Sequence, residues 1–480
     1  MGSVRRAILF SSVTRYSTRF ISLFSAVVIA RLLTPEEIGT FAIASAVVMM
    51  MSEFRLLGAG AYLIRESELT EGKVRSALGL TMLISWGLGL LIWLIATGVS
   101  NYYDIEAIEA IFRILSASFF LAPFISIPTS LLMRAMKFRE LFYAKLLSSL
   151  VNLSSTIVFI FMGFSYYSLA MGYTLAVAIE LGVIVRYWPR DMVLVPGFSN
   201  FRNIASFGVF SSLGNFFRRG VVSGPDIVIG KVGTTAQVGM FSRGLGFIEF
   251  VSQTLISGVQ PVVLPYLSEA KRSGEDTVKA YLKASTMLGG ILWPVLAVAS
   301  VVSLPAILLF FGPQWVEASI YATWIAYWAM FRVVNWFSPD LLIANGFEKI
   351  MVVKEGLIFF VHIALIYFCY GSGLEMVAIG FVLAGFVDLI LTCSLLSYCL
   401  NLRVTTLVRS WFSNGIIALV CWLVAWLIYD FIVTEQGSEL LALGGVAVAL
   451  PFVWLALVAT ARHPIWVELV KFGRPLLRRK

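Results

Sequence analysis

Histidine occurs twice in the 480 residues and cysteine four times. His362 and His463 alone cannot supply a zinc cluster or a histidine-based catalytic triad. The cysteines, Cys369, Cys393, Cys399 and Cys421, lie in apolar stretches of the second half without metal-ligand spacing, and are read as packing or lipid-facing residues. Charge is scarce as well: 13% of residues are Asp, Glu, Lys or Arg and 59% are hydrophobic, against roughly 25% and 45–50% in soluble domains. Gly224-Pro-Asp-Ile-Val-Ile-Gly230-Lys231 resembles a phosphate loop, but its glycines are one residue too far apart and Val232 stands where the magnesium-binding hydroxyl belongs. No cofactor is expected, and no connection is long enough to hold a soluble catalytic domain. The longest, about Ser268 to Lys283, reads as a polar cytoplasmic loop.

What is present is apolar length. A membrane span needs about 20 mostly apolar residues, and fourteen such stretches can be counted, centred near residues 24, 48, 88, 121, 158, 176, 217, 255, 296, 326, 360, 384, 420 and 448. The first is read as retained, because Arg15 and Arg19 interrupt the apolar core that a cleavable leader requires. Of the 36 Lys and Arg, 26 fall on alternate connections, among them Arg5, Arg6, Arg134, Lys145, Arg202, Lys271, Lys354, Lys471, Arg474, Arg478, Arg479 and Lys480. The intervening connections are acidic or neutral, as in Asn101-Tyr-Tyr-Asp-Ile-Glu106, apart from Arg31 and Lys231. This asymmetry puts both termini in the cytoplasm. The net charge of +9 is thus topological and is matched to membrane lipids, with no nucleic acid implied.

The chain also repeats itself. Arg31-Leu-Leu-Thr-Pro-Glu-Glu-Ile-Gly-Thr-Phe41 returns as Lys231-Val-Gly-Thr-Thr-Ala-Gln-Val-Gly-Met-Phe241, and Phe10, Ser11, Ser12, Arg19, Val28 and Ile29 recur at the same offset of 200. The offset equals six spans, an even number, so both copies enter the membrane from the same side. The expected fold is therefore all-α and polytopic: about 14 transmembrane helices in two parallel-repeat six-helix bundles, with two further helices at the C-terminus. The boundaries are a bundle over 1–190, a cytoplasmic linker over 191–203, a bundle over 204–400, and the last two helices with a basic tail over 401–480. Gly224-Pro225 marks the seventh span as the expected hinge, and Gly220-x-x-x-Gly224 also fits plain close packing.

Ionisable side chains inside spans carry the functional reading, since each costs about 2.5–3.5 kcal/mol at a helix centre unless it has a pathway, a partner or an interface. Arg15, Arg55, Arg113 and Arg243 lie toward span ends, within snorkelling reach. Arg19, Arg218, Arg219 and Arg332 are deep, and read either as lining a polar cavity or as ion-paired to Glu53, Glu180, Asp226, Glu249 or Asp388. A cavity with excess guanidinium suits a phosphate or carboxylate guest. Asp226, Asp388 and Glu53 are the candidate ion-coupling groups.

Val28-Ile-Ala-Arg-Leu-Leu-Thr-Pro-Glu-Glu-Ile-Gly-Thr-Phe41, followed by Leu57-Gly-Ala-Gly60 and a short basic loop, resembles the N-terminus of the polysaccharide transporter family. These are the Wzx-type oligosaccharide flippases of the multidrug/oligosaccharidyl-lipid/polysaccharide superfamily, which share a MATE-like fold. The resemblance implies a flippase, not an enzyme, that moves an undecaprenyl-pyrophosphate-linked oligosaccharide across the bacterial inner membrane by alternating access, for exopolysaccharide, capsule or O-antigen. It also implies a cation-lined cavity and, as a partner, the polysaccharide polymerase and chain-length machinery. A relative that flips the peptidoglycan precursor uses arginines from spans 1, 2 and 8, which here correspond to Arg19, Arg55 and Arg243. The alternative is a cation-coupled multidrug exporter of the same fold, which requires acidic cavity residues; the first span has none. A membrane polymerase or ligase would need a long outward loop with catalytic acids, which is absent from the sequence.

Overall fold

The computed structural model describes residues 2–55, 57–199 and 201–477, and the regular elements among them are all helical. The side chains of Arg5, Arg6, Arg202, Lys471 and Arg474, and the whole of Arg478, Arg479 and Lys480, lie outside the described residues, so the reading of the basic ends rests on sequence. Two units divide the chain, Met1–Ser242 and Arg243–Lys480. The first holds α1 (Gly2–Leu32), α2 (Pro35–Ser52), α3 (Ala59–Arg65), α4 (Glu71–Tyr103), α5 (Ala107–Arg134), α6 (Phe138–Phe161), α7 (Tyr167–Arg186) and α8 (Phe201–Val232). The cut falls inside α9 (Thr235–Ile256). Beyond it come α10 (Gln260–Arg272), α11 (Thr277–Val301), α12 (Ser303–Phe310), α13 (Val316–Val334), α14 (Ser338–Asn345), α15 (Glu348–Tyr370), α16 (Leu374–Leu400), α17 (Val404–Gln436), α18 (Glu439–Thr460) and α19 (Pro464–Leu477).

Nine of these, α4 to α7, α11 and α15 to α18, are long and apolar enough to cross a bilayer. The protein is a multi-pass membrane protein. Each of the fourteen apolar stretches coincides with a helix of at least 18 residues. Of the five helices outside the nine, α1, α8, α9 and α13 carry Arg19, Arg218 with Arg219, Arg243 and Arg332, while α2 runs into Arg55. The polar loop expected over 268–283 is instead mostly helix, since α10 runs to Arg272 and α11 starts at Thr277.

The repeated motif is a helix-starting device in both copies. Thr34 N–H donates to Glu37 Oε2 at 2.8 Å while Glu37 N–H donates to Thr34 Oγ1 at 3.3 Å. Thr234 and Gln237 make the same reciprocal pair at 3.0 and 3.2 Å. In each case two backbone N–H groups that have no intrahelical acceptor are satisfied at a helix N-terminus. The motif glycines then permit contact of backbone with backbone: a Cβ on Gly39 would lie 1.7 Å from Thr235 O, and one on Gly239 2.1 Å from Pro35 O. That mutual exclusion of side chains explains why Gly is the residue that recurs.

Three of the long apolar segments are interrupted. α2 gives way to α3 through Leu57 (φ 38°) and Gly58 (φ 76°), α9 to α10 around residues 257–259, and α13 to α14 around 335–337. Broken helices at membrane depth persist only where other groups satisfy the freed carbonyls. Ser285 Oγ–H supplies Val334 O at 2.8 Å, and Trp293 Nε1–H supplies Met330 O at 2.9 Å. By contrast α8 runs unbroken through Pro225.

The stretch between α7 and α8 is strapped onto the first unit, where Gly197 N–H donates to Arg75 O at 2.8 Å and Met192 joins Leu78, Leu131 and Ile204 in one core cluster. In the second unit α17 and α18 pack on α11 through Ile417, Cys421 and Val458. His463 locks the far end of this group. Its Nδ1 accepts from Ile465 N–H at 3.3 Å, so its Nε2 is the donor to Asn414 Oδ1 at 2.8 Å. Asn414 Nδ2 in turn donates to Thr286 O at 3.0 Å.

Two outcomes follow from this packing. Gly39→Ala should lower the thermal stability of the detergent-solubilised protein by about 1–3 kcal/mol, whereas Gly72→Ala, whose added Cβ meets nothing within 4 Å, should be close to neutral. Burial holds the His463 pKa below its ordinary value, so the unfolded chain binds more protons and stability falls as pH drops below about 6.5. His463→Gln should flatten that part of the pH–melting curve.

Candidate functional site

In the first unit, the break after α2 projects Arg55 into the interior. Its guanidinium carbon stands 5.7 Å from the centre of the Phe119 ring, and its Nε is buried without a hydrogen-bond partner. Arg55 lies at the junction of two cavities, of about 200 and 240 Å³, that also share Asn152 and Tyr173. The smaller is mainly apolar, with Phe41, Val48 and Leu115 in its wall. The larger is polar and includes Ser126, Lys145, Ser148 and Glu180. Lys145 Nζ is 2.6 Å from Glu180 Oε1, so that carboxylate is neutralised, while Ser126 Oγ has no partner. Each cavity falls short of the roughly 300 Å³ at which ligand pockets begin. Either can hold a phosphate-sized group but not a whole glycolipid.

Arg218 and Arg219 fall at the middle of the 32-residue α8. Arg218 is tied to Asn215 Oδ1 on its own helix, and Arg219 Nη2 reaches only Met49 Sδ on α2, at 3.5 Å. Arg219 Nε is buried without a partner. Arg19 is half-buried in α1, also near mid-helix. Asp226 is on α8, one of its carboxylate oxygens buried and unpartnered, and Glu53 caps the end of α2 through its backbone N–H.

The second unit treats its two candidate arginines differently. Arg332 lies in the last turn of α13, where a cation suits the helix dipole. It is ion-paired to Glu249 and held between the rings of Trp328 and Trp336, at 5.0 and 4.8 Å. Arg243 has ring faces alone, Phe311 and Trp315 both at 5.0 Å, and its Nε is buried without a hydrogen bond. Asp388 is already engaged: Lys354 Nζ lies 2.8 Å from its Oδ1 and Thr392 Oγ1–H donates to the same oxygen at 3.0 Å.

Sequence reasoning missed Lys354 and Lys145. Both were assigned to inner connections, yet Lys354 is 7% exposed on α15 and Lys145 lines a cavity from α6. The available signal was position, since each falls about two turns inside its apolar stretch. It also missed Arg134, whose Nη1 donates to Leu63 O at 2.8 Å and Nη2 to Ser67 O at 3.2 Å, closing the end of α3.

A model of the polysaccharide biosynthesis protein family matches residues 28–320. The chain belongs to that family. Its curated relatives include the succinoglycan biosynthesis transport protein ExoT of Rhizobium meliloti (strain 1021), 23% identical over 323 residues. That match takes in 66% of this chain and 64% of ExoT, so the chain spans just under two thirds of the relative's length. Among solved structures, the inward closed lipid II flippase MurJ aligns with a TM-score of 0.72 and 15% identity, over 96% of this chain and 100% of that one. An inward-facing multidrug resistance MATE transporter of the MOP superfamily aligns with a TM-score of 0.66 and 14% identity, over 82% and 98%. The fold is that of these transporters, and ExoT is likewise named a transport protein.

Removing one partner of the Lys145–Glu180 pair should strand a carboxylate in the membrane interior. Lys145→Met should lower thermal stability by about 1–3 kcal/mol, below the 3–5 of a fully buried pair because Lys145 is half exposed. The double variant Lys145→Met/Glu180→Gln should recover most of the loss in a double-mutant cycle.

Proposed function

We propose that this protein is a flippase that carries an undecaprenyl-pyrophosphate-linked oligosaccharide from the cytoplasmic to the periplasmic leaflet of the bacterial inner membrane. It has both termini in the cytoplasm, and serves exopolysaccharide, capsule or O-antigen assembly. Family membership supports polysaccharide biosynthesis, the ExoT relative supports transport within it, and the shared fold supports alternating access between bundles over 1–190 and 204–400. The observation that carries the reading is a mismatch of charge. Among the described residues, Glu180, Glu249, Glu355 and Asp388 each have a basic partner, whereas Arg55, Arg219 and Arg243 have aromatic rings or a thioether and no carboxylate. Guanidinium groups held this way are ready for a phosphorylated guest, and Arg19, Arg218 and Arg332 are placed in the reading as supporting cations. Sugars would pass beside the polar groups of the cavities while the isoprenoid tail stays in lipid. The chain would hand its cargo to a polymerase on the outer face.

A multidrug exporter would instead present free acids to cationic drugs, and most of the buried acids are already occupied. Asp226 and Glu53 remain the groups through which ion coupling could act in such a protein.

A deletion strain should accumulate lipid-linked repeat units in the inner leaflet, as read by their protection from a periplasmic sugar-modifying enzyme. Loss of a charge-assisted contact worth about 1.5–3 kcal/mol corresponds to a drop of about 10- to 150-fold in flipping rate, which Arg55→Ala, Arg219→Ala and Arg19→Ala should each produce in reconstituted liposomes. Full flipping by all three variants would count against a cationic pathway. Normal translocation in the deletion strain would remove the assignment altogether.

A further inference from the structure

The helices α6 and α7 present two different faces. Toward the interior, Lys145, Ser148, Ser149 and Asn152 recur at i, i+3, i+4 and i+7 on α6 and line the polar cavity beside Arg55. Two positions earlier, which on a helix is the opposite face, Tyr143, Leu146, Leu147 and Leu150 repeat that spacing, and Ile179, Gly182, Val183 and Arg186 do so on α7. Together these outer stripes wall a groove of about 570 Å³. Unlike the two interior cavities, it falls within the range of ligand pockets. It is open to the surroundings, for Leu147 and Leu150 are 44% and 45% exposed. α6 is also the least covered of the nine apolar spans, with 11% of its most apolar window buried. At 1.5 Å per residue the groove runs roughly 10–12 Å along each helix. A Cβ built on Gly182 would meet nothing within 4 Å, so the missing side chain is part of the space.

One end of this groove differs chemically from the rest. α6 and α7 are packed neighbours joined by a short connection, so the first turns of α6 meet the last turn of α7. That end gathers Arg139, Tyr143, Arg186 and Tyr187. Arg139 Nε–H donates to Tyr143 Oη at 3.3 Å with its guanidinium carbon 5.6 Å from the ring centre, and Tyr187 lies within electrostatic reach of it. Among the described residues neither arginine forms an ion pair, and Glu140, the acid nearest in sequence, bridges to neither. An apolar trough that ends in two guanidiniums and two tyrosine rings matches the layering of a lipid, hydrocarbon first and then the polar interface. We infer that the α6–α7 groove binds an anionic glycerophospholipid of the surrounding leaflet, with an acyl chain along Leu146, Leu150 and Gly182 and the phosphodiester held by Arg139 and Arg186. Guanidinium offers phosphate paired donors. A headgroup with its own ammonium would set that cation against both arginines, so the net negative lipid is selected. The same helices form the polar cavity on their other face, where Ser148 Oγ–H donates to Ala176 O at 3.0 Å, and a lipid wedged between them from outside supports that wall. The site is separate from the cargo path and does not depend on the flippase reading.

Native mass spectrometry of the purified protein with phosphatidylglycerol and phosphatidylcholine of matched chains provides the test. The wild type should retain phosphatidylglycerol preferentially. Arg139→Gln/Arg186→Gln should cut that preference by about 30-fold, each arginine contributing about five-fold. Gly182→Leu, whose side chain would occupy the groove, should reduce retention of both lipids, whereas Arg409→Gln, which removes an exposed cation of the second unit, should behave as the wild type. A photoactivatable phosphatidylglycerol should label residues within 139–150 and 179–187 of the wild type, and Gly182→Leu should lose that label. An unchanged preference in the double arginine variant, or labelling confined to other segments, would overturn the proposal. So would a dimer that Gly182→Leu dissolves, which assigns the groove to a second copy of the chain, or displacement of the label by a lipid-linked pyrophosphate, which assigns it to the cargo path.

Discussion

Hydrocarbon cannot solvate an ion, and nearly every distinctive feature of this chain is a response to that constraint. Each charged side chain within a span must find an opposite charge, a helix end, an aromatic face or a guest. Lys145–Glu180, Arg332–Glu249 and Lys354–Asp388 take the first course. Arg332 combines it with the second, at the C-terminus of α13. Arg243 and Arg55 take the third, against Phe311, Trp315 and Phe119. An aromatic face offsets only about 0.5–2 kcal/mol of a cation's desolvation, so these two, like Arg219 against its thioether, still have much to gain from an anion.

The same constraint governs the backbone. Breaks after α2, α9 and α13 free carbonyls and N–H groups that have no water to turn to. The repeated motif contributes its reciprocal caps at residues 34 and 37, and again at 234 and 237, while Ser285, Trp293 and Arg134 meet carbonyls elsewhere. Broken segments and candidate cations coincide because both depend on polar groups held inside the bundle. Arg55 lies in such a break and Arg332 directly before one.

Much of this was legible in the sequence. The apolar stretches and the helical class followed from composition and period, because a span leaves a long unambiguous signal, while the transporter fold was implied by the resemblance carried by residues 28–41. The internal repeat was visible as residue identity, but its physical meaning as a capping box followed by a glycine crossing needed coordinates, although Thr-x-x-Glu and Thr-x-x-Gln were there to be read. Helix ends were harder. Arg332 was read inside a continuous span and lies in the last turn of α13, since nothing in Val333-Val-Asn-Trp336 announces a break. Lys354 was counted with the loop cations because sequence position along a helix does not say which neighbour the side chain faces. Pairings such as Lys354 with Asp388 join residues 34 positions apart, and no local pattern encodes them.

The central claim is that arginines without carboxylate partners recognise the phosphorylated part of a lipid-linked sugar. Native mass spectrometry of the purified protein with an undecaprenyl-pyrophosphate-linked oligosaccharide, and with the same glycan on an uncharged isoprenoid, tests it most directly. The account predicts that the wild type retains the pyrophosphate form preferentially and that Arg55→Ala/Arg219→Ala/Arg243→Ala loses this preference. Equal retention of the charged and uncharged lipids by the wild type would contradict it.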